Sequence, residues 1–371
     1  MSSSPQSCIK SIKLCNFRNY TKAELDSQGS PVVLLGENGS GKTNVLEAIS
    51  LLSKGSGLRN IGADCMQNHK SETPWGVHHT VLSNGTQFSV SITKHESKRR
   101  LSIDKKASCY SALHDILCIV WLIPQLDHIL LKAPSERLRF FDRVVHIFDK
   151  DYSSHMIKYE KAKRDRKKVL HEAPQNLNWL TSLESVMASS GVHIAQTRLN
   201  VLKILQRTAS DNDIDSPFLK FAIHLDSRVF ELLDDQERAV DRYLQHMEES
   251  RAKDASGQLT SFGIHNDQFQ MSDVNKNIMA SSCSTGEQKI LLLSLLLTAA
   301  ISKRRIHNQA PIMLLDDIMS HLDNVHKEEL IRTIKDVGCQ TWITDVDGKN
   351  FAGLEKHFKC FHIANNSINP M

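Results

Sequence analysis

The pattern of apolar and polar positions predicts a mixed α/β protein. Ile9–Leu14 alternates as a half-buried strand does, and Val32–Leu35 is the continuous apolar run of a strand buried on both faces. Asn44–Leu52 repeats apolar residues at helical spacing. Short alternating segments fill Val77–Ile103, and Asn84-Gly85 between them is a hairpin signal. The first part of the chain is therefore expected to hold a buried strand, a helix and a small antiparallel sheet.

The middle of the chain is helical in pattern, and its end returns to strands. Asp142–Gln206 and Phe230–Arg251 read as helices. The apolar run Ile290–Ile301 contains Ser294 and Thr298 and is shorter than the roughly 20 residues of a membrane span, so it predicts a buried helix. Buried strands are predicted at 311–317 and 342–345. We expect one α/β lobe assembled from both ends of the chain, residues 1–150 and 256–371, with a helical lobe, residues 151–255, inserted in it.

Composition and charge narrow the class of protein. The chain has 371 residues, of which 40% are hydrophobic and 24% charged, as in globular proteins with more than one lobe. The net charge is only +4, so nucleic-acid binding would need a local basic patch. Lys158–Lys168 holds seven Lys or Arg against two acids. Two interpretations stay open for this segment: a solvated helix face, or a contact with a phosphate backbone.

The eight cysteines are dispersed and form no C-x-x-C pair, which argues against a structural zinc site. The first residues are small and polar and lack the apolar stretch of an export signal. We therefore expect a soluble cytoplasmic protein with reduced thiols and no membrane partner.

One short segment carries a nearly complete mechanism. Gly36-Glu37-Asn38-Gly39-Ser40-Gly41-Lys42-Thr43 follows the apolar strand and fits G-x-x-x-x-G-K-[ST]. Its glycines allow the backbone N–H groups to face phosphates, and the following helix presents its positive end. Lys42 is expected near the β- and γ-phosphates, and the Thr43 hydroxyl on Mg²⁺. The sequence therefore predicts a nucleotide site for ATP and Mg²⁺.

Two carboxylates end the buried strand near residue 315. Asp316 is expected to hold Mg²⁺, directly or through water, and Asp317 to orient or deprotonate the attacking water. Gln125 follows Pro124 on a loop from which it would reach Mg²⁺ or water. Thr344 or Asp345 is expected to face the γ-phosphate from the last strand.

Ser284–Gln288 precedes the long apolar helix. Ser284 with Glu287 three residues later fits a capping box, which is a purely structural interpretation. The functional alternative uses the flexible Gly286 and a second helix N-terminus to grip a γ-phosphate. Ser320–Asp323 follows the carboxylate pair, where a loop would monitor a neighbouring site.

Taken together, these residues resemble the ABC-type ATPase heads of the SMC-like group, and most closely the RecF family of bacterial DNA replication and repair proteins. The similarity covers nearly the whole chain. Beyond the phosphate loop it rests on the segments 16–20, 44–49, 124–125, 132–134, 137–142, 263–267, 284–289, 314–317 and 320–323. Other SMC-like heads carry coiled coils, for which this sequence shows no heptad pattern.

The resemblance implies an α/β fold: an ABC-type P-loop ATPase head with a side antiparallel sheet and an inserted helical lobe. It implies a slow, DNA-stimulated ATPase that forms an ATP-dependent homodimer on gapped DNA or single-strand/double-strand junctions. RecO and RecR would be partners, and RecA would be helped to replace single-strand-binding protein. Lys42, Gln125, Ser284 and Asp317 would be catalytic. Ser284, Gly286 and Gln288 would close on the γ-phosphate held by the partner's loop.

Some positions depart from the family pattern or stay open. The family segment usually reads Gly-Pro-His-Arg-Asp, whereas this chain has Ile264 and Asn266 at its proline and arginine. Arg59 is a candidate for phosphate or DNA contact, with a surface role as the alternative. Arg137 and Arg139 are candidates for ordering the nearby loop or for contacting DNA.

Two other functional classes are alternatives to the ATPase. An ATP-assembled DNA clamp with negligible hydrolysis would use the same motifs. An ATPase subunit of a membrane transporter is disfavoured by the long helical insertion and by the paired Asp316 and Asp317.

Overall fold

The computed structural model describes residues 7–211, 216–257, 259–351 and 357–371. These residues divide into two compact units. The first draws on Met1–Asp127, Asn212–Leu219 and Cys283–Met371, and the second on His128–Asp211 and Lys220–Ser282. The units thus divide after residues 127 and 282, whereas the sequence placed the lobe boundaries after residues 150 and 255.

The first unit begins with two sheets and the helix between them. Its elements up to residue 122 are β1 (Ser7–Phe17), β2 (Tyr20–Asp26), β3 (Val32–Leu35), α1 (Lys42–Ser50), β4 (Gly76–Ser83), β5 (Thr86–His95), β6 (Lys98–Ile103), β7 (Lys106–Ala107), α2 (Tyr110–Ile116) and β8 (Ile119–Leu122). The helix predicted at Asn44–Leu52 thus begins and ends two residues earlier.

An antiparallel sheet with the strand order β2-β1-β4-β5-β6-β7 lies beside the glycine-rich loop in this unit, where Tyr20 of β2 contacts Gly41. Asn84 and Gly85 join β4 to β5 with φ angles of 48° and 79°, and Ser83 pairs with Thr86. Positive φ at both turn residues is what a two-residue hairpin loop requires, because its twist then matches that of the strands. The predicted hairpin is present.

The second unit is built on a helical hairpin and a three-stranded sheet. Its elements are α3 (Pro134–His146), α4 (Tyr152–Glu172), α5 (Leu177–Ala209), β9 (Phe221–Asp226), α6 (Ala239–Glu249), α7 (Arg251–Gly257), β10 (Gln268–Asp273) and β11 (Ile278–Met279). The sheet order is β11-β10-β9, all antiparallel. The segment 142–206, helical in pattern, contains the end of α3, all of α4 and most of α5. The helical segment predicted over 230–251 is a 3₁₀ turn followed by α6 and the start of α7.

The position of α3 explains why the unit begins before residue 150. Phe141 of α3 stacks on Phe269 of β10, with ring centroids 4.7 Å apart. Arg137 donates from Nε to the carbonyl of Phe269 at 3.0 Å. These contacts join residues far apart in sequence, so no local pattern marks the boundary.

The chain then returns to the first unit through α8 (Thr285–His307), β12 (Ile312–Leu315), α9 (Asn324–Val337), β13 (Thr341–Asp345), β14 (Lys359–Ala364) and β15 (Ser367–Pro370). The central sheet has the order β15-β14-β3-β13-β12-β8 and is parallel except for β15. Because parallel strands end at the same edge, β3, β12 and β13 bring their following loops together there.

Helix α8 is the predicted apolar helix, and it is buried from Leu291 to Lys303 along nearly all of its faces. Together with the central sheet it forms the core of the first unit. Among the described residues, no helix has both the length and the apolar character needed to cross a bilayer.

Candidate functional site

The glycine-rich loop joins β3 to α1 with positive φ at Gly36, Gly39 and Gly41. Gly41 is the N-cap of α1, and no side chain caps this helix, so its first N–H groups face the loop. A Cβ at Gly41 would lie 2.5 Å from Asn19 Nδ2 and 2.8 Å from Tyr20 Oη. The close packing of β2 behind the loop therefore requires glycine here.

Lys42 lies across the loop and is only 9% exposed. Its Nζ donates to the carbonyl oxygens of Gly36 and Glu37 at 2.5 and 2.9 Å. Burial lowers the pKa of the Lys42 ammonium, and the carboxylates of Asp316, Asp317 and Asp345 act in the opposite direction. The ammonium is thus held at the centre of the loop.

Asp316 follows β12 and faces the start of α1. The Thr43 hydroxyl donates to the two Asp316 oxygens at 3.1 and 3.0 Å, and the Thr344 hydroxyl donates to Oδ1 at 2.8 Å. Burial raises the pKa of Asp316, while the hydrogen bonds from Thr344 and Thr43 lower it. Two residues far apart in sequence, predicted to share one ion, are therefore neighbours.

This pair of oxygen ligands fits Mg²⁺. No group of three or more His, Cys, Asp or Glu in the described part of the chain is arranged to hold a metal. A divalent ion at Thr43 and Asp316 would therefore take most of its ligands from water and phosphate. That is how Mg²⁺ is usually bound beside a nucleotide, with one or two protein oxygens.

Asp317 has the left-handed backbone conformation, with φ of 51°, which is uncommon for a residue other than glycine. Its N–H donates to Thr344 Oγ1 at 2.8 Å, and Ser320 Oγ donates to its Oδ1 at 2.9 Å. The side chain is exposed, unlike that of Asp316. Thr344 therefore fixes both carboxylate residues, whereas the sequence offered Thr344 or Asp345 only as a group that faces the γ-phosphate.

A cavity of about 300 Å³ collects these groups. Its lining is the set Asn38, Gly39, Gly41, Lys42, Thr43, Asn44, Arg59, Pro124, Gln125, Asp316, Asp317, Thr344, Asp345 and Val346. The predicted loop, carboxylates and Gln125 thus meet in one place. Ser284, Gly286 and Gln288 are not part of the lining.

The Ser284–Gln288 segment has the geometry of a helix cap. Ser284 and Glu287 form a complete capping box at the start of α8. Gln288 is 2% exposed and its Nε2 donates to the carbonyl of Cys283 at 2.8 Å. A Cβ at Gly286 would meet no atom within 4 Å. Within one chain, the segment therefore acts as the helix cap that the structural interpretation predicted. Because it does not line the cavity, it does not contact a ligand bound in the cavity of the same chain.

An ion pair joins three of the predicted segments. Lys289, which is 1% exposed, places Nζ 3.1 Å from Asp127 Oδ2 and donates to the carbonyl of Asp317 at 3.5 Å. Asp127 lies two residues beyond Gln125, and Lys289 directly follows Gln288. The start of α8 is thereby tied to the Gln125 loop and to the residue after Asp316.

A buried cluster of charged residues lies behind the loop and was not predicted from the sequence. Glu47 of α1 is fully buried and accepts from Arg18 at 2.7 and 2.8 Å and from Arg59 at 3.0 Å. The Tyr20 hydroxyl donates to the carbonyl of Gly41 at 3.1 Å. Arg59, a candidate for phosphate contact, is thus engaged by Glu47 while it also lines the cavity. The sequence did hold one indication of this cluster, because Glu47 is a charged residue among the apolar positions of α1.

The two arginines of α3 differ. Arg137 donates to the carbonyls of Phe269 and Lys132, which orders the loop before α3, whereas Arg139 is exposed. Ile264 is fully buried, and Asn266 donates to the carbonyl of Ser261 at 3.1 Å. Ile264 and Asn266, which replace the proline and arginine of the family pattern, therefore both contact other residues of the second unit.

Comparison with known proteins gives a consistent result. Residues 8–369 match the model of the RecF/RecN/SMC N terminal domain. The DNA replication and repair proteins RecF of Rickettsia akari and Rickettsia bellii are 33% and 34% identical, each covering 94% of this chain and 96% of its own length. Among solved structures, the recombination mediator protein RecF-ATPrS in the RecFOR pathway superimposes with a TM-score of 0.84 at 22% identity, covering 100% of both chains. A Smc head domain from Pyrococcus furiosus gives 0.55 at 15% identity, covering 98% of this chain and 96% of its own.

Proposed function

This chain belongs to the RecF family, and from that premise we propose that it is an ATP-dependent DNA-binding protein of replication and recombinational repair. The observation that carries the proposal is the contact of Thr43 with Asp316 at the mouth of the Lys42 loop. RecF structures named for ATP and for ATPrS have the same fold, which supports ATP as the ligand.

The loop amides and Lys42 bind the β- and γ-phosphates. Lys42 already lies across the loop, and phosphate oxygens replace the carbonyls of Gly36 and Glu37 as its acceptors. Thr43 and Asp316 would hold Mg²⁺, and Gln125 would contribute from the facing loop. The ion would supply positive charge at the phosphate oxygens. The cavity excludes much of the water from Lys42 and Asp316, which strengthens these interactions.

Asp317 is the general base for water. Its exposed carboxylate stands beside the buried Asp316, so the two carboxylates have different environments. The Ser320 hydroxyl fixes its Oδ1, and the Thr344 hydroxyl holds its backbone. We expect slow hydrolysis that times the release of DNA.

A second copy of the chain completes the site. Ser284 caps α8, Gly286 and Gln288 lie in its first turn, and all three are outside the cavity of their own protomer. In an ATP-bound homodimer this segment contacts the γ-phosphate held by the partner subunit. The dimer forms on gapped duplex or single-strand/double-strand junctions, with RecO and RecR as partners, and assists the loading of RecA.

Gel filtration with ATP and magnesium, with and without gapped duplex, tests this function. We expect a monomer without nucleotide and a dimer with ATP, which gapped DNA stabilises and in which ATP is slowly hydrolysed. A chain that stays monomeric with ATP and binds DNA equally well without it would contradict the proposal.

Replacing Lys42 with methionine is expected to weaken ATP binding about tenfold to a hundredfold. Charge-assisted hydrogen bonds to phosphate are lost, and each such bond contributes roughly 1.5–3 kcal/mol. Titration calorimetry with ATP and magnesium measures the change. Lys335→Met, at an exposed position of α9, is the control and should bind as the native chain does. Equal affinities for both variants would remove Lys42 from the site.

A further inference from the structure

Helix α4 has a basic face whose residues stand out from the buried side. Lys158, Lys161, Arg164, Lys167 and Lys168 are all exposed, and we call them the α4 cationic face. Four of them recur at intervals of three, three and four residues, so they form one stripe along the helix. At 1.5 Å per residue, the stripe is roughly 15 Å long.

Among the described residues, none of the five cations of this face makes a hydrogen bond or an ion pair with another side chain. Glu160 is bound to Lys163, at 2.8 Å, which is not part of the face. Acids do lie at pairing distance along the helix, since Asp165 is four residues from Lys161 and three from Lys168. Among the described residues, however, no ion pair joins them, so the cations of the face keep their charge toward solvent.

The face is held rigidly. Arg166, on the opposite side of α4, is fully buried and donates to Glu184 of α5 at 2.8 Å and to Asp254 of α7 at 2.6 Å. These contacts fix the rotation of α4. The helix backbone that carries the cations is already ordered. A ligand that binds these cations therefore loses less affinity to conformational entropy than one that must order a flexible basic tail.

Exposed apolar residues lie at the ends of the stripe. At the start of α5, Leu177 and Trp179 are 56% and 51% exposed. The next residue, Leu180, packs on Val169 and Leu170 at the end of α4. Trp179 is therefore at the same end of the hairpin as Lys168.

We propose that the α4 cationic face is a docking surface for DNA, with Trp179 placed to stack on an unpaired base where the duplex ends. The choice of DNA as the ligand rests on the proposed function, and the inference adds which residues contact it. Duplex DNA carries one negative charge about every 1.7 Å of its axis when both strands are counted, so each of the four cations of the stripe has phosphates to neutralise along its length. Aromatic stacking beside a cationic track is how unpaired bases are held.

The pattern favours DNA over an acidic protein. Protein interfaces place their apolar residues at the centre and charges at the rim. Along this surface the order is reversed. The exposed apolar residues are Ile157 at one end of the stripe and Trp179, at the start of α5, at the other, and the cations lie between them.

Neutralising the four cations of the stripe, with Lys167 left in place, tests the proposal. The variant Lys158→Gln, Lys161→Gln, Arg164→Gln, Lys168→Gln is compared with a matched variant in which each lysine becomes arginine and Arg164 becomes lysine. Binding of a fluorescent gapped duplex is measured by anisotropy at several salt concentrations. We expect the neutral variant to lose at least about tenfold in affinity and its slope of log K against log salt to fall by three to four, at about 0.9 per lost phosphate contact. The charge-preserving variant should keep both. Nucleotide-dependent dimerisation should be unchanged in both, which shows that they fold.

Trp179 provides an independent readout. The other three tryptophans are at most 8% exposed, so collisional quenching by acrylamide reports mainly on Trp179. Gapped duplex should protect it from the quencher more than a blunt duplex does, and Trp179→Phe should remove the quenchable signal.

Equal affinity and salt slope for the neutral and native chains, or unchanged quenching on DNA binding, would overturn this surface while leaving the proposed function in place. Tighter binding of polyglutamate than of DNA would assign the face to an acidic protein. If the native chain binds no DNA at all, the proposed function fails with it.

Discussion

Replacing Asp317 with asparagine is expected to lower the ATP turnover number about a hundredfold to a thousandfold, because a general base contributes roughly that factor. Asparagine keeps the size of the side chain and can still accept from the Ser320 hydroxyl, but it cannot take a proton. ATP binding should change little, since Lys42, Thr43 and Asp316 remain. The dimer should therefore accumulate with ATP.

Phosphate release under saturating ATP, followed beside gel filtration, measures both effects. Asp336→Asn, at an exposed position of α9, is the matched control and should turn over ATP as the native chain does. Native turnover in Asp317→Asn would show that another group activates the water. A loss of ATP binding instead would mean that Asp317 acts on the nucleotide itself.

Replacing Arg198 with leucine is expected to destabilise the second unit by about 3–5 kcal/mol, the usual cost of leaving a buried charge unpaired. Arg198 is fully buried and donates to Asp142 at 2.9 and 3.0 Å and to Asp267 at 2.7 Å. It also donates to the carbonyl of Ile264 at 2.7 Å. Urea unfolding followed by circular dichroism measures the loss, and Arg207→Leu, exposed on the same helix, should cost little.

The loss in Arg198→Leu should grow with pH. Burial raises the pKa of Asp267 to about 6, and Arg198 acts in the opposite direction. Without Arg198 the pKa rises further above its unfolded value of about 4. The folded state then holds the proton more tightly than the unfolded state, so stability falls as the pH rises through the folded pKa. A deficit that is the same at pH 5 and pH 8 would show that Asp267 does not titrate in this range.

Local patterns predicted the parts of the site that each lie in one segment. In two places an apolar strand is followed directly by its functional residues: the glycine-rich loop after β3, and Asp316 after β12. Strand and functional residues could therefore be predicted from the same short segment. The capping box at Ser284 was also visible, because it needs only residues three apart.

The contacts that were not predicted join residues that are distant in the sequence. Glu47 meets Arg18 and Arg59, and Lys289 meets Asp127, only after the sheets and helices have packed. The same holds for the Asp142–Arg198–Asp267 cluster. A buried charge appears in the sequence as an ordinary polar residue, since its partner is fixed by tertiary structure alone. The roles assigned to Gln125, Ser284, Gly286 and Gln288 remain predictions.

The pairing of β3 has a consequence for synthesis of the chain. Val32 pairs with Trp342 on one side and with Lys359 on the other, so the strand that carries the glycine-rich loop has no parallel neighbours until the last part of the polypeptide has been made. Such long-range pairing is slow to form, and an apolar strand waiting for it is exposed to aggregation. A ribosome-bound chain that stops before residue 341 should therefore be unable to retain ATP, however complete its phosphate loop.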